Sequence, residues 1–256
     1  MKRIELEIKA LSPLAIARQK PGGSVSEVEN YIPGSVIRGA VAAQILKESG
    51  HQSTNLAENG GDFQALFLGD RPAIFQNAYP ATLVINKKLV PIQRVGEILV
   101  LPATTLSSKT DSGFNNDKGH GVFDTLIDRF CAEHYGYPYD PNCPVDGGRV
   151  DTVDFNFYSK YNDKYYKHSV NKRLLTRVGI NRRRATAEEE ILYSIEVLNE
   201  SQDINQKPIY YRSAILVADE LAEFLQQFIQ NRRHNFRLGG SASRGLGTVS
   251  YTHLRA

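Results

Sequence analysis

The chain has no run of apolar residues long enough to span a bilayer as a helix. It holds only two cysteines, Cys131 and Cys143. Its opening residues, MKRIELEIKALSPLAIARQK, alternate charged with apolar side chains and read as a strand, not as a signal peptide. These absences argue against a disulfide scaffold and for a reducing, cytoplasmic compartment. Also missing are HExxH, a usable Ser-His-Asp order, the P-loop and the dinucleotide fingerprint. Net charge is only +3, too little to select a class of partner. What remains is a folded globular chain of 256 residues, 41 % apolar.

The charge is unevenly distributed. Residues 171–184, NKRLLTRVGINRRR, carry six Lys or Arg and no acid, ending in Arg182, Arg183 and Arg184. A second cluster holds Arg232, Arg233, His234, Arg237 and Arg244, whereas the acidic run Glu188, Glu189 and Glu190 follows the first cluster. A like-charged block is ordinarily a solvated face. Two such blocks beside loop-like, glycine-rich backbone point to a polyanion.

Periodicity outlines an α+β fold. Ile4, Leu6 and Ile8 alternate over a first strand, and a polar loop follows over residues 19–26. YIPGSVIRGAVAAQILKESG then reads as a turn and a helix, with Ser35 as N-cap and Ile37, Ala40, Val41 and Ile45 on one face. Toward the other end, residues 190–198 and 209–217 read as strands, 219–230 as a helix and 248–251 as a final strand. The order is β-α-β-β-α-β, a ferredoxin-like (RRM-like) arrangement. Its core is expected at about residues 1–50 and 190–250 of a single domain, 1–250. Residues 51–189 form a large insertion between the first helix and the second strand.

FRLGGSASRGLGTVSY, residues 236–251, gathers four glycines, three serines and two arginines. It follows a helix, where nucleotide loops would open one. Bare backbone at Gly239, Gly240, Gly245 and Gly247, beside Ser243, Arg237 and Arg244, suits close approach of a sugar-phosphate chain. A tight connection needing positive φ would explain one or two of the glycines. Ser35 and Arg38 open the first helix, where free amides and the dipole favour a phosphate.

The pair YIPGSVIRGA and GGSASRGLG resembles the signature of the RAMP superfamily of CRISPR-associated RNA-binding proteins. Members carry an early PGSxxRG helix start and a late glycine-rich loop on a ferredoxin-like fold. VGINRRRATAEEEILYSIEVL, residues 178–198, is similar to the guide-handle-capping RAMP subunit of type III-D effector complexes. The resemblance covers both ends of the chain strongly and the middle weakly. It implies a non-catalytic guide-RNA (crRNA) binding subunit of a type III CRISPR interference complex in antiviral defence, with other complex subunits as partners. Near the two motifs, single-stranded RNA would meet glycine backbone, arginines and tyrosines able to stack on bases.

CAEHYGYPYDPNC offers Cys131, His134 and Cys143 as three ligands for a structural zinc ion, with His120 and His168 as candidates for the fourth. Related subunits carry a zinc knuckle in this region. The plain alternative is two buried thiols and a surface histidine. Catalysis has less behind it. Some RAMP backbone subunits cut target RNA with an aspartate after the first strand, but ARQKPGGSVSEVENY has only Glu27 and Glu29. An endoribonuclease of the same superfamily and a scaffold whose basic patches meet acidic proteins remain the rival readings. The closing VSYTHLRA, residues 249–256, reads as an in-frame sequencing adapter, so the natural protein is expected to diverge near Val249 and continue.

Overall fold

The alternating apolar residues of the first strand, Lys2–Ala10, set the centre of the main sheet. In the computed structural model, residues 1–18, 27–49, 61–115, 119–181, 186–202 and 207–253 are described. The chain divides into two compact units, Met1–Thr82 with Val170–Ala256 and, separately, Leu83–Ser169.

In the first unit, Ile4, Leu6 and Ile8 stand opposite Ile215, Ser213 and Tyr211 of the strand Tyr210–Val217. On the other side, Ile8 and Ala10 face Tyr251 and Val249 of the closing strand Val249–His253. The outer position beside Tyr210–Val217 is taken by two short pieces, Ile74–Phe75 and Tyr79–Pro80. All pairings are antiparallel, and the spatial order is closing, first, third, second. This is the ferredoxin-like order, with helix Gly34–Ser49 after the first strand and helix Asp219–Asn231 before the last.

The β-α-β-β-α-β class therefore stands, but its second strand is not residues 190–198. Those residues belong to Thr186–Leu198, which pairs with Lys172–Asn181 in a separate two-stranded ribbon. The long connection accordingly lies between the second and third strands, not between the first helix and the second strand. Alternation marks a strand without naming its partner, and two-residue pieces broken at Gln76 to Ala78 carry no readable alternation.

Both helices bury the stripe that their spacing sets. Ile37, Val41 and Ile45 from the first, and Leu225, Phe228 and Ile229 from the last, join Ile4, Leu6 and Ile8 in one core. Arg232 ties the helices together: its guanidinium pairs with Glu48 and lies 4.3 Å from the centre of the Phe228 ring. On the sheet's other face, Arg212 pairs with Glu5 at 3.0 Å. Neighbouring Glu7 is buried. Loss of hydration raises the Glu7 carboxyl above the ordinary glutamate range, against the pull of Thr252 and Arg212.

The second unit is built of short strands. Phe157–Tyr161 pairs with Lys164–His168 and with Leu99–Val100. Thr105–Ser108 pairs with Val122–Asp124 and Val150–Thr152. Phe114 packs against Phe155, Tyr158 and Tyr165, with ring centres between 5.3 and 5.6 Å apart. Among the described residues, no helix of the chain is long and apolar enough to cross a membrane.

Candidate functional site

The glycine-rich segment is a closed loop anchored on the residues that follow the first strand. The Leu238 N–H donates to the Gly247 carbonyl at 2.8 Å, and the Gly247 N–H donates to the Pro13 carbonyl at 2.9 Å. The Gly240 N–H donates to the Ala15 carbonyl at 2.8 Å. At the tip, Ser241 takes a left-handed φ of 59° and leads into one 3-10 turn, Ala242–Arg244, closed by Gly245 at φ 84°. Arg237 braces this turn from within, its Nη1 donating to the Ala242 carbonyl at 2.5 Å.

The four glycines do different work. A Cβ on Gly239 would lie 2.4 Å from the Ala15 carbonyl oxygen, and one on Gly247 would lie 2.5 Å from that of Leu238. Both also have positive φ, so the chain's own packing requires them. Gly245 has open space around it but a φ of 84°. Gly240 has neither constraint: its φ is not left-handed, and a Cβ would meet only the Ala15 oxygen at 3.7 Å. It is exposed, as are Ser243, Arg244 and Gly245.

Backbone donors are available beside it. The N–H groups of Arg244, Gly245 and Leu246 turn inward onto the carbonyls of Ser241 and Ala242. Among the described residues, those of Ser241, Ala242 and Ser243 have no acceptor within the chain. Three adjacent amides next to an exposed arginine can receive an anionic oxygen chain.

Ser35 and Arg38 occupy a different place. The first helix begins at Gly34, so Ser35 is an exposed residue of the first turn and not the cap. The Gly34 N–H instead donates to Asn77 Oδ1 at 2.9 Å, a cap supplied from between the two pieces of the second strand. Arg38 donates from Nη2 to the Phe67 carbonyl at 3.1 Å and lies 5.2 Å from that ring's centre. Both residues thus sit toward the second strand, whereas the glycine loop sits beside the first and closing strands. These two strand groups flank opposite sides of the sheet. Arg182, Arg183 and Arg184 lie outside the described residues. At the base of their ribbon, Arg173 pairs with Glu200 at 3.0 Å, and Lys172 donates to the Val28 carbonyl at 2.7 Å. Glu29, in the loop after the first strand, lies 3.8 Å from Arg18 Nε.

A second cluster lies in the unit Leu83–Ser169. His120, Cys143 and Asp146 place their ligand atoms within 4.8 Å of one another, a group able to hold a metal ion. Neither Cys131 nor His134 belongs to it. Cys131 is exposed on helix Leu126–His134, and the His134 ring packs against Phe130 and Tyr135. His168 is also elsewhere, buried and hydrogen-bonded to Ser159 Oγ at 2.7 Å. Spacing in CxxH suggested Cys131 and His134 as the partners of Cys143; the structure instead pairs Cys143 with a histidine 23 residues earlier. The Gly148 N–H and Cys143 hold the Asp146 carboxyl below the ordinary aspartate range, and the charge of His120 adds to this. The only sequence signal for Asp146 was its place in the turn CPVDGG.

A family profile described as RAMPs, the RAMP superfamily, matches residues 7–250. The chain belongs to the RAMP superfamily. No curated protein matches this RAMP chain. Chains of the type III-B Cmr-beta complex, one bound to cognate target RNA and one in the apo state, are similar over 99 % of this chain and 97 % of theirs. Identity is 12 % in both, with TM-scores of 0.48 and 0.47. A chain of a type IV-B CRISPR complex is similar at 13 % identity over 99 % of this chain and 90 % of its own, with a TM-score of 0.38.

Proposed function

We propose that this RAMP protein is a non-catalytic guide-RNA binding subunit of an RNA-guided CRISPR effector complex of type III, working in the cytoplasm. Within type III, the similarity of residues 178–198 favours the handle-capping subunit of the III-D subtype. The observation that carries the reading is the tip of the glycine loop. It offers an unhindered Gly240, three adjacent N–H donors at Ser241, Ala242 and Ser243, and the exposed Arg244. A sugar-phosphate backbone needs close approach, amide donors and positive charge together. The ribonuclease reading has less support, because Glu29 lies against Arg18.

The same reading takes a structural zinc ion in the unit Leu83–Ser169 as the protein's cofactor. Its RNA-binding part is tested by measuring affinity for single-stranded guide RNA over a salt series. Phosphate contacts release counterions, so log affinity should fall linearly with log salt, with a slope of about −0.7 per contact. Affinity that stays level from low to high salt would remove the electrostatic basis of the reading.

A further inference from the structure

We infer that His120, Cys143 and Asp146 are ligands of one zinc-type ion and, among the described residues, leave its fourth coordination position open. This rests on the zinc reading above and replaces the ligand set that CxxH spacing suggested. The distances fit the metal. Zinc takes thiolate sulfur at about 2.3 Å and imidazole nitrogen or carboxylate oxygen at about 2.0–2.1 Å, so tetrahedral ligands stand about 3.5 Å apart for S···N and about 3.3 Å for N···O. Here Cys143 Sγ is 3.5 Å from His120 Nδ1, and Asp146 Oδ2 is 3.4 Å from the same nitrogen. One ring nitrogen thus faces both other ligand atoms.

The surroundings hold each ligand in place. His120 Nε2, the nitrogen turned away from the cluster, lies 3.5 Å from Asp111 Oδ2. A carboxylate behind a metal-binding histidine fixes its tautomer and strengthens its donor nitrogen. Asp146 Oδ1 accepts from the Gly148 N–H at 2.9 Å, leaving Oδ2 toward the cluster. Reciprocal backbone bonds, Cys143 N–H to Gly148 carbonyl and Gly147 N–H to Cys143 carbonyl, both 2.8 Å, close the turn that carries two of the ligands. A thiolate among the donors favours zinc over the hard cations magnesium and calcium. Cys143 is 2 % exposed, whereas the Asp146 side chain is 36 % exposed, so the carboxylate is the solvent-facing side of the ligand set. Three protein ligands with one open position is the pattern that admits water or a further donor.

The test measures bound zinc per chain, and the near-ultraviolet thiolate-to-metal absorption after cobalt substitution, on the full chain. The wild type and the double variant Cys131→Ser, His134→Ala should each hold about one zinc and show that absorption. Cys143→Ser and His120→Ala should hold none. Asp111→Asn, which touches no metal, should bind zinc about 10–100-fold more weakly while melting like the wild type in chelator. If Cys143→Ser fails to fold, Asp146→Asn replaces it, with the same expected loss of zinc and unchanged melting in chelator. Zinc retained by His120→Ala but lost from the Cys131, His134 variant would overturn this assignment and leave the zinc reading standing. A wild type that binds no metal would overturn both.

Discussion

Gly34 and Gly39 stand five residues apart in the first helix, and their surroundings are opposite. A Cβ at Gly34 would fall 1.9 Å from the Phe75 carbonyl oxygen, which belongs to backbone and cannot rotate away. A Cβ at Gly39 would meet nothing within 4 Å. Gly34→Ala is therefore expected to destabilise by roughly 1–3 kcal/mol or prevent folding, the usual cost of forcing atoms into a packed contact. Gly39→Ala should stabilise by about 0.5–1 kcal/mol, because an exposed helix interior favours alanine. Urea unfolding of the two variants measures both signs. Glu7 gives a pH test at the same scale. Burial raises its folded carboxyl above the unfolded value, so its contribution to stability is present below the ordinary glutamate range and lost as pH rises through the folded value. Glu7→Gln should therefore gain stability relative to the wild type as pH goes from about 4 to about 7. A difference that stays constant or reverses over that range would show that Arg212 and Thr252 outweigh the burial.

Among the elements, the first helix depends on a residue far from it in sequence. Asn77 accepts the Gly34 N–H, so Asn77→Ala should cost about 0.5–2 kcal/mol, the worth of a cap, read as a lowered melting temperature. The sequence could not announce this, since cap and helix are 43 residues apart and meet only when the second strand is in place. The elements that were legible share one property: they are long and regular. Ile4, Leu6 and Ile8 on one side of a strand, and Ile37, Val41 and Ile45 on one side of a helix, reveal their buried faces through period alone. Residues 190–198 were equally legible as a strand, but their partner was not, because pairing is decided by which backbone edge is free. The site divides the same way. The glycine loop is contiguous and visible as composition, though which glycine is spare depends on Ala15 and Leu238 across the loop. The His120, Cys143, Asp146 cluster is assembled from two segments and was only half visible, through Cys143 and the candidate fourth ligand His120.

For the molecule as a whole, the proposed function requires a chain of modest net charge to bind RNA through a local surface where backbone and charge coincide. Net charge of +3 would give little non-specific attraction by itself. Gly240 is the cleanest probe of that surface, because its exposed, extended backbone admits a side chain without disturbing the fold. Gly240→Val alone should melt at or slightly above the wild-type temperature, since removing a glycine's freedom from the unfolded chain is worth about 0.4–1 kcal/mol. The most direct measurement is the affinity of the double variant Gly240→Val, Arg244→Ala for single-stranded guide RNA, with its melting curve taken alongside. Binding should weaken at least about tenfold, and the salt slope should shallow by about one phosphate contact, while melting stays at the wild-type temperature. Wild-type affinity and slope in that folded variant would contradict the account and leave the glycine loop as a connection between the last helix and the closing strand.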